Sequence, residues 1–382
     1  MKLHVLQIVP SFVDFNHETG GVSNVVRQIS LYLANQDCTV TVLCGNRELG
    51  TTKSRPGIIV HKENLVEHVI GQRFHPLLGP RVELTKYLEG CKGNTVAHVH
   101  TCFSLFTESA MSECINHGVP FVFTPHGKLS PLMFAKHRGI KKWYWDHKVR
   151  NLVDKAAEVV LNGSNESKLF GQLQLQRHCK TIPNGFNELE FAAMGTQKPL
   201  IDGPYVLFLG YLEERKQPSF LIEVFAKSVL CSSHKLVIAG PDTYGHKKHL
   251  KKLVQSLGVE REVIFFGPAY KDDKWNLLRN ASVFSLPSKA EGLPVVLSEA
   301  IGAGIPVLYS TGCNFPELAQ QGCGLELSGF DIHIWREALE RICLDQDLNQ
   351  KMRVCATQAK ARYTWASICK EWEAVYQESA AK

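Results

Sequence analysis

The sequence of 382 residues lacks several patterns that would each indicate a class of protein. None of its twelve cysteines forms a Cys-x-x-Cys pair, which argues against a zinc ribbon and a thioredoxin-like redox site. No apolar run approaches the roughly 20 residues of a membrane-spanning helix, and polar residues interrupt the first ten positions too often for a secretory signal. The sequence therefore predicts a cytoplasmic protein with reduced thiols.

Charge of one sign is also scarce. The 43 Lys and Arg residues against 37 Asp and Glu leave a formal net charge of +6, spread along the chain. Domains that bind nucleic acids usually gather their basic residues on one face, so no nucleic-acid partner is expected. Hydrophobic residues make up 44% of the chain, which is enough for a sizeable core, and the length favours two domains.

Short runs of strand composition alternate with longer segments of helical periodicity, in two series that begin at Leu3–Val9 and Tyr205–Leu209. Such alternation predicts parallel sheets with crossover helices, and hence two doubly wound, Rossmann-like α/β domains. Periodicity is lost over 187–203, where glycine and proline accumulate, so this stretch is the predicted linker. The predicted domains are residues 1–190 and residues 200–362.

Glycines follow several predicted strands. In open parallel sheets ligands bind beyond the carboxyl ends of the strands, where Gly210 and Gly240 would let a ligand approach the backbone. Gly20 and Gly21 open the first long helix, whose free N–H groups suit a phosphate or a sugar hydroxyl. Each glycine alone is as typical of an ordinary turn, so only the set favours a ligand site.

The segment 288–300 carries two carboxylates, Glu291 in a loop and Glu299 in a helix that Pro294 begins. The amides at the start of this helix would face a phosphate, while the two carboxylates accept hydrogen bonds from hydroxyl groups. Arg215 and Lys216, just beyond a strand end, could hold a diphosphate. The alternative is that these side chains lie in solvated surface loops.

Metal-binding patterns are weak. Asp345-Gln346-Asp347 spells Asp-x-Asp, but it lies in a late helical segment far from any strand end, where a surface position is expected. His98 and His100 are expected to point to opposite faces of their strand and to form no ligand cluster. The sequence therefore predicts no metal site.

Basic and aromatic residues alternate between Lys136 and Arg150. This mixture is found in interfacial helices that touch anionic lipid headgroups. The alternative is that Trp143, Tyr144 and Trp145 belong to the core while the basic side chains form a solvated face.

Together these residues resemble the retaining glycosyltransferases of family four, whose GT-B fold has two Rossmann-like domains facing across a cleft. The segment from Glu291 to Glu299 is the most specific part of the resemblance, which extends over nearly the whole chain. The further matching segments are Gly20-Gly21-Val22, Val99-His100, Thr124-Pro125-His126-Gly127 and Ile182-Pro183-Asn184-Gly185. The runs 125–131 and 313–317 look like members that build bacterial surface polysaccharides.

The resemblance implies a role for each matching residue. Glu299 would bind the nucleotide ribose, and Glu291 with the backbone of Gly292, Leu293 and Pro294 would address the donor sugar and its phosphates. Arg215 and Lys216 would neutralise the leaving diphosphate. His126 would lie beside the anomeric carbon, and Gly20 and Gly21 would close over the phosphate. His100 and Asn184 would face the acceptor.

The resemblance also implies the activity. The first domain would hold the acceptor, the second would bind a UDP- or GDP-sugar, and the helix at 363–382 would pack back on the first domain. Transfer would retain the anomeric configuration without a metal or another cofactor. The acceptor would be a saccharide carried on a lipid, in bacterial polysaccharide, lipopolysaccharide or exopolysaccharide synthesis, with peripheral contact at the cytoplasmic face of the inner membrane.

The sequence departs from the family pattern at two positions. Many members have Arg and Gly where this chain has Tyr211 and Gln217, so either Arg215 supplies the missing charge or the phosphate is held less tightly. Two other functions stay open on these grounds: a two-domain sugar-nucleotide epimerase, and a non-catalytic subunit that binds a nucleotide sugar.

Overall fold

The computed structural model describes two compact units of the chain. The first unit is Met1–Pro183 together with Trp365–Lys382, and the second is Asn184–Thr364. The described residues are 2–15, 21–48, 51–52, 54–71, 81–91, 93–129, 138–163, 166, 175, 179–193, 195, 197–243 and 245–382.

The boundary falls ahead of the predicted linker. The backbone N–H of Phe186 donates to the Tyr363 carbonyl at 2.8 Å, and Phe186 pairs with Thr364 in an isolated β-bridge. The stretch 187–203 therefore belongs to the second unit, and the predicted domains 1–190 and 200–362 differ from the structure at this end. These contacts join residues far apart in sequence, so local composition does not reveal them.

The first unit contains an eight-stranded sheet in the order β10-β9-β8-β7-β1-β2-β6-β5. All neighbours in it are parallel except β5 and β6, and β3 pairs with β4 in a separate two-stranded ladder. The strands are β1 (His4–Val9), β2 (Thr39–Gly45), β3 (Arg47–Glu48), β4 (Thr51–Thr52), β5 (Gly57–Lys62), β6 (Leu65–Ile70), β7 (Thr95–His100), β8 (Phe121–Thr124), β9 (Glu158–Leu161) and β10 (Lys180–Thr181). The helices before residue 184 are α1 (Val22–Asn35), α2 (Arg81–Glu89), α3 (Leu105–Asn116), α4 (Arg138–Tyr144), a π-helical turn (Trp145–Val149) and α5 (Arg150–Val153).

The second unit contains a six-stranded parallel sheet in the order β13-β12-β11-β14-β15-β16. Its strands are β11 (Tyr205–Leu209), β12 (Lys235–Ala239), β13 (Val263–Gly267), β14 (Val283–Leu286), β15 (Val307–Ser310) and β16 (Gly324–Leu327). Its α-helices are α6 (Glu188–Ala193), α7 (Pro218–Ala226), α8 (Lys247–Leu257), α9 (Lys271–Asn280), α10 (Val295–Gly302), α11 (Pro316–Gln320), α12 (Ile332–Leu344) and α13 (Gln346–Ala359). Its 3₁₀ turns are Glu214–Lys216, Val229–Ser232, Thr311–Cys313 and Lys360–Tyr363.

The last helix, α14 (Trp365–Ala380), belongs to the first unit, where it contacts α1 and β7. The apolar stripe of this helix is buried, including Ile368, Trp372 and Tyr376. An exposed stripe of this size would be costly, since each large apolar side chain gains about 1.5–3 kcal/mol on burial.

The two sheets confirm the predicted α/β class. In each sheet the chain starts at an interior strand and winds outward on both sides, which places a crevice between β1 and β7 in the first unit and between β11 and β14 in the second. Within the described part of the chain, no helix combines the length and apolarity that crossing a membrane requires.

Candidate active site

The carboxyl ends of β11 and β14 bring the predicted donor residues of the second unit together. Gly210 follows β11, and the 3₁₀ turn beyond it carries Arg215 and Lys216. Ser288 and Glu291 follow β14, which lies directly beside β11. The strand order therefore assembles two loops that are 75 residues apart in sequence.

Glu291 lies between the two cations. Its carboxylate is 2.6 Å from Lys216 Nζ and 2.7 Å from Arg215 Nη1, and the Ser288 hydroxyl donates to it at 2.8 Å. Burial alone would raise the pKa of Glu291, but the charges and hydrogen bonds of Lys216 and Arg215 outweigh it and lower this pKa to about 2. Glu291 is thus a permanent anion that orients both cations.

Arg215 is held by more than Glu291. Its guanidinium also donates to the Glu213 carboxylate at 2.6 Å and to the Ala290 carbonyl at 2.5 Å. Burial opposes the charge, yet Glu291 and Glu213 raise the pKa of Arg215 overall. The alternative of a solvated surface loop does not fit these cations. Arg215 is partly buried between two carboxylates, and Lys216 is buried against Glu291.

The glycines at the ends of β11 and β12 leave no room for a side chain, because other atoms of the protein lie against them. A Cβ at Gly210 would lie 3.0 Å from Cδ of Lys216, whose stem crosses this position. A Cβ at Gly240 would lie 1.9 Å from the Gly210 carbonyl oxygen. The close packing of β11, β12 and Lys216 therefore favours glycine at both positions, and the prediction that a ligand approaches the backbone there stays a prediction.

The loop that leads into α10 is fixed by two asparagines. Asn314 Nδ2 donates to the Gly292 carbonyl at 2.8 Å, and Asn184 Nδ2 donates to the Leu293 carbonyl at 2.7 Å. Pro294 then caps α10 in an extended conformation. Asn184 was predicted to face the acceptor, but it is buried in the second unit and holds the donor-side loop, a contact that spans 109 positions and leaves no local signal.

Glu299 lies on α10, nearly buried, and accepts a hydrogen bond of 2.8 Å from Lys274 Nζ of α9. Lys274 is buried over the ring of Trp275 and lies 4.0 Å from Glu190. The sequence analysis missed Lys274. The feature of the sequence that could have identified it is its position. Lys274 lies in the same helical stripe as Leu277 and Leu278, where an apolar residue is expected.

In the first unit, the candidate residues surround the end of β7. His100 Nδ1 lies 2.9 Å from Nε2 of His126, which follows β8 in a turn with a positive φ of 52°. Burial lowers the pKa of His126 to about 3 and that of His100 well below its usual value. Both rings are therefore neutral at physiological pH.

The expectation that His98 and His100 point to opposite faces is wrong. Their ring centroids are 3.7 Å apart, because residues two apart on a strand project from the same face. His98 contacts the Tyr376 hydroxyl at 2.7 Å and the Thr124 hydroxyl at 2.9 Å. His100 also contacts Gln7 Oε1 at 2.7 Å, so it is a buried member of a network.

The turn at His126 is tied to Glu166, which the sequence analysis missed. One carboxylate oxygen of Glu166 accepts from the Gly127 N–H at 2.6 Å, and the other accepts from the Asn162 N–H at 3.1 Å. Burial raises the pKa of Glu166 to about 7, although both N–H groups act in the opposite direction. The feature of the sequence that could have identified Glu166 is a carboxylate that follows a strand, β9, by a few residues.

The first helix begins at Gly21, which has a φ of 68° and caps α1. Among the described atoms, none lies within 4 Å of the place where its Cβ would be. Gly20, predicted to act with it, lies outside the described residues.

The basic and aromatic segment divides between core and surface. Trp145 is buried, and the Tyr144 hydroxyl donates to Glu108 at 2.6 Å, as the core interpretation expects. Ile140 and Trp143 are instead 72% and 54% exposed, because they lie on the outer side of α4. Lys136 lies outside the described residues.

Among the described residues, no group of three His, Cys, Asp or Glu side chains is arranged to hold a metal ion. Asp345 accepts a hydrogen bond from the Leu348 N–H and caps α13, so the Asp-x-Asp sequence marks a helix start. All twelve cysteines are free thiols.

Two family models match the chain. The model for group 1 glycosyl transferases matches residues 196–359, and the model for glycosyltransferase family 4 matches residues 19–188. The first match lies within the second unit, and the second covers the first unit from just before α1 to the end of its sheet, without β1.

Curated relatives give the same result. A D-inositol 3-phosphate glycosyltransferase of Corynebacterium diphtheriae is 26% identical over 60% of this chain and 58% of its own length. The chain thus spans little more than half the length of this relative. A GDP-mannose:cellobiosyl-diphosphopolyprenol alpha-mannosyltransferase of Xanthomonas campestris is 23% identical over 95% of this chain and 94% of its own.

A solved structure shares the fold. The sucrose-phosphate synthase of Thermosynechococcus elongatus superposes with a TM-score of 0.77 at 18% identity, over all of both chains. Its GT-B fold agrees with the two parallel-sheet units described here. The two family models together account for most of the sequence, and the chain belongs to the family 4 glycosyltransferases.

Proposed function

We propose that this chain is a retaining glycosyltransferase that moves a sugar from a UDP- or GDP-sugar to a saccharide acceptor carried on a lipid. The observation that carries the proposal is the cluster of Glu291, Arg215 and Lys216 at the β11/β14 crevice, inside the segment that the group 1 model matches. Retention of configuration is taken from the family.

The cluster suits a leaving diphosphate. Breaking the bond between sugar and phosphate builds negative charge on the phosphate, and fixed cations stabilise it without reorganisation. Glu291 holds Arg215 and Lys216 in place before the donor arrives, so part of the cost of ordering them is met during folding. Arg215 and Lys216 are the groups that we assign to the diphosphate, and we assign no metal or other cofactor to the reaction.

Glu299 would hold the ribose of the donor. Its carboxylate is kept in position by Lys274 and lies on α10, whose first turn follows the Gly292–Pro294 loop. A carboxylate can accept hydrogen bonds from two neighbouring hydroxyl groups. Water competes less for these bonds when the carboxylate is buried.

His126 would contact the donor sugar in its neutral form. A buried, uncharged imidazole can accept a hydrogen bond from a sugar hydroxyl and adds no positive charge beside an oxocarbenium-like carbon. This agrees with the role that the family resemblance implies for it.

The acceptor would be presented at the cytoplasmic face of a bacterial inner membrane, during polysaccharide, lipopolysaccharide or exopolysaccharide assembly. The Xanthomonas relative is named for an acceptor on a diphosphopolyprenol. The exposed Ile140 and Trp143 lie on α4 with the exposed Lys142, and the exposed Lys148 follows in the π-helical turn, a combination suited to peripheral contact with anionic headgroups.

The test begins with thermal unfolding of the protein in UDP, GDP, ADP, CMP and dTDP, with and without their sugars, since a ligand of the native state raises its stability. We expect one nucleotide to raise the melting temperature, Glu299→Ala to abolish the shift, and Glu337→Ala, an exposed control on α12, to keep it. If no nucleotide produces a shift, the donor site assigned here is wrong.

Transfer is then measured with the nucleotide sugar identified and a polyprenol-linked saccharide. Sugar transfer with retained configuration supports the proposal. Turnover of the donor without any acceptor indicates the epimerase, and binding without turnover indicates a non-catalytic subunit.

A further inference from the structure

A continuous chain of buried hydrogen bonds connects α14 to His126. Gln7 Nε2 donates to the Tyr376 hydroxyl at 3.2 Å, and Gln7 Oε1 lies 2.7 Å from His100 Nε2. His100 Nδ1 in turn lies 2.9 Å from His126 Nε2. Gln7, His100 and Tyr376 are fully buried, so water does not compete for these bonds.

The amide of Gln7 sets the direction of every bond in this chain. Its oxygen can only accept, so His100 carries its proton on Nε2. Burial keeps His100 neutral, and its Nδ1 is therefore an acceptor. His126 must then donate through Nε2–H, which leaves the lone pair of the neutral ring on Nδ1.

The bonds of Tyr376 on α14 are consistent with this orientation of the Gln7 amide. The Tyr376 hydroxyl lies 2.7 Å from His98 Nδ1, while His98 Nε2 contacts the Thr124 hydroxyl at 2.9 Å. Because the Tyr376 hydroxyl accepts from the amide nitrogen of Gln7, its own proton is left for Nδ1 of His98. Neutral His98 then carries its proton on Nε2 and donates to Thr124.

We propose that Gln7 and Tyr376 are positioning residues that fix His126 as the Nε2-protonated tautomer, so that its Nδ1 stays a hydrogen-bond acceptor during sugar transfer. The role in transfer rests on the proposed function, whereas the tautomer itself does not. The groups that face the His126 ring are His100, the Asn162 side chain and the Lys128 charge. The bond with Asn162 favours a protonated ring, but burial outweighs it.

The direct test is long-range ¹H–¹⁵N NMR of the histidine rings in the full chain, with His126 assigned from the signal that His126→Gln removes. We expect a neutral ring protonated on Nε2 between pH 6 and 8. In Gln7→Leu and Tyr376→Phe, the ring should become a mixture of tautomers. Tyr87→Phe is the matched control, since it also removes one tyrosine hydroxyl bond in the first unit, to Thr41, away from His126.

A wild-type ring protonated on Nδ1, or a charged ring, would overturn the proposal. So would an unchanged His126 signal in both Gln7→Leu and Tyr376→Phe. Because this readout needs no donor or acceptor, it stands even if the proposed transferase activity fails. If one of the variants Gln7→Leu and Tyr376→Phe does not fold, the other still tests the proposal.

Kinetics give the second readout once transfer is established. Gln7→Leu should lower kcat on the order of tenfold while leaving the donor KM unchanged, because donor contacts in the second unit are intact. Gln7→Glu keeps an acceptor for His100 and should recover activity, with a pH profile shifted upward since its carboxylate favours protonated histidines. Equal losses in kcat for Gln7→Leu and Tyr87→Phe would indicate a merely structural role.

Discussion

The candidate site of the second unit is built from charges, and that of the first unit is built from neutral rings. In the second unit Glu291 is paired with Arg215 and Lys216. In the first unit His100 and His126 are bonded to each other and to an amide. Both sites are largely removed from water, yet they meet the cost of burial in different ways.

The pKa shifts express this difference. The pKa of Glu291 falls to about 2 because neighbouring cations outweigh burial, so the group keeps its charge. The pKa of His126 falls to about 3 because burial dominates, so the group loses its charge. A shift in the same direction therefore produces an ion in one unit and a dipole in the other. The roles proposed for the two sites, holding a diphosphate and contacting a sugar, differ in the same way.

The largest expected effect comes from removing the anion of the charged site. Glu291→Ala leaves Lys216 buried beside Arg215 without a partner, and breaking a buried pair typically costs about 3–5 kcal/mol. Chemical denaturation followed by circular dichroism measures the loss. Glu291→Gln, which keeps an acceptor for Ser288, is the control and should lose less. Equal stability of Glu291→Ala and the wild type would show that the pairing does not stabilise this unit.

Removing the central ring of the neutral site should affect turnover instead. We expect His126→Ala to lower kcat about 100-fold or more, because a contact to the reacting sugar is lost, with the nucleotide Kd unchanged. Transfer rates and calorimetric titration with the nucleotide separate the two quantities. An unchanged transfer rate removes His126 from the catalytic residues.

One glycine at each site differs in how tightly it is packed, Gly240 in the second unit and Gly21 in the first. Gly240→Ala places a Cβ against the Gly210 carbonyl, and we expect a loss of about 2 kcal/mol. Gly21→Ala should lower the free energy of unfolding by only about 1 kcal/mol, the cost of a positive φ for alanine. No described atom lies within 4 Å of the new Cβ. Thermal unfolding of both variants measures the difference, and a greater loss for Gly21→Ala would reverse this comparison.

Acid should weaken the neutral site first. The pKa values of His98, His100 and His126 are lowered in the folded protein. Below pH 6.5, the unfolded value, the unfolded chain therefore binds more protons than the folded chain. The free energy of unfolding then decreases as the pH decreases. The raised pKa of Glu166 has the opposite effect between pH 7 and pH 4.5, approximately, because the folded chain holds a proton there that the unfolded chain has lost. This proton offsets the uptake of one proton by a histidine of the unfolded chain. Each net proton changes the free energy of unfolding by about 1.4 kcal/mol per pH unit.

The paired carboxylate of Glu291 loses stability only below its unfolded value of 4.5, as the pH falls toward about 2. Hydrogen exchange at pH 5.5 and 7.5, corrected for intrinsic rates, reads the two sheets separately. We expect β7 and β8 to lose protection at pH 5.5 and β11 and β14 to keep it. Loss in both sheets at once would contradict the assignment of the histidines as the acid-sensitive groups.

Strand-end reasoning predicted where the second site forms. Arg215, Lys216 and Glu291 follow two strands that become neighbours, and the rule that ligands bind beyond strand ends needs only the alternating pattern to identify them. That they bond to each other could not be predicted, since it depends on distances between loops 75 residues apart. Asn184 was misplaced for the same reason.

The first site was predicted less completely. His100 and His126 were identified at strand ends, but Gln7 and Tyr376, which determine how those rings are protonated, are 369 positions apart. No local pattern connects an amide in the first strand with a hydroxyl in the last helix. The mistake at His98 and His100 had a different origin, because the period of two on a strand was sufficient to place both on one face.

The assignment of α14 to the first unit has a consequence for biosynthesis. During translation the whole second unit leaves the ribosome before Trp372 and Tyr376 do. Until then the first sheet lacks the helix that covers part of α1 and β7 and orients the Gln7 amide. The second unit is therefore continuous in the order of synthesis, whereas the arrangement around His126 needs the last described helix as well as the sheet that is made first.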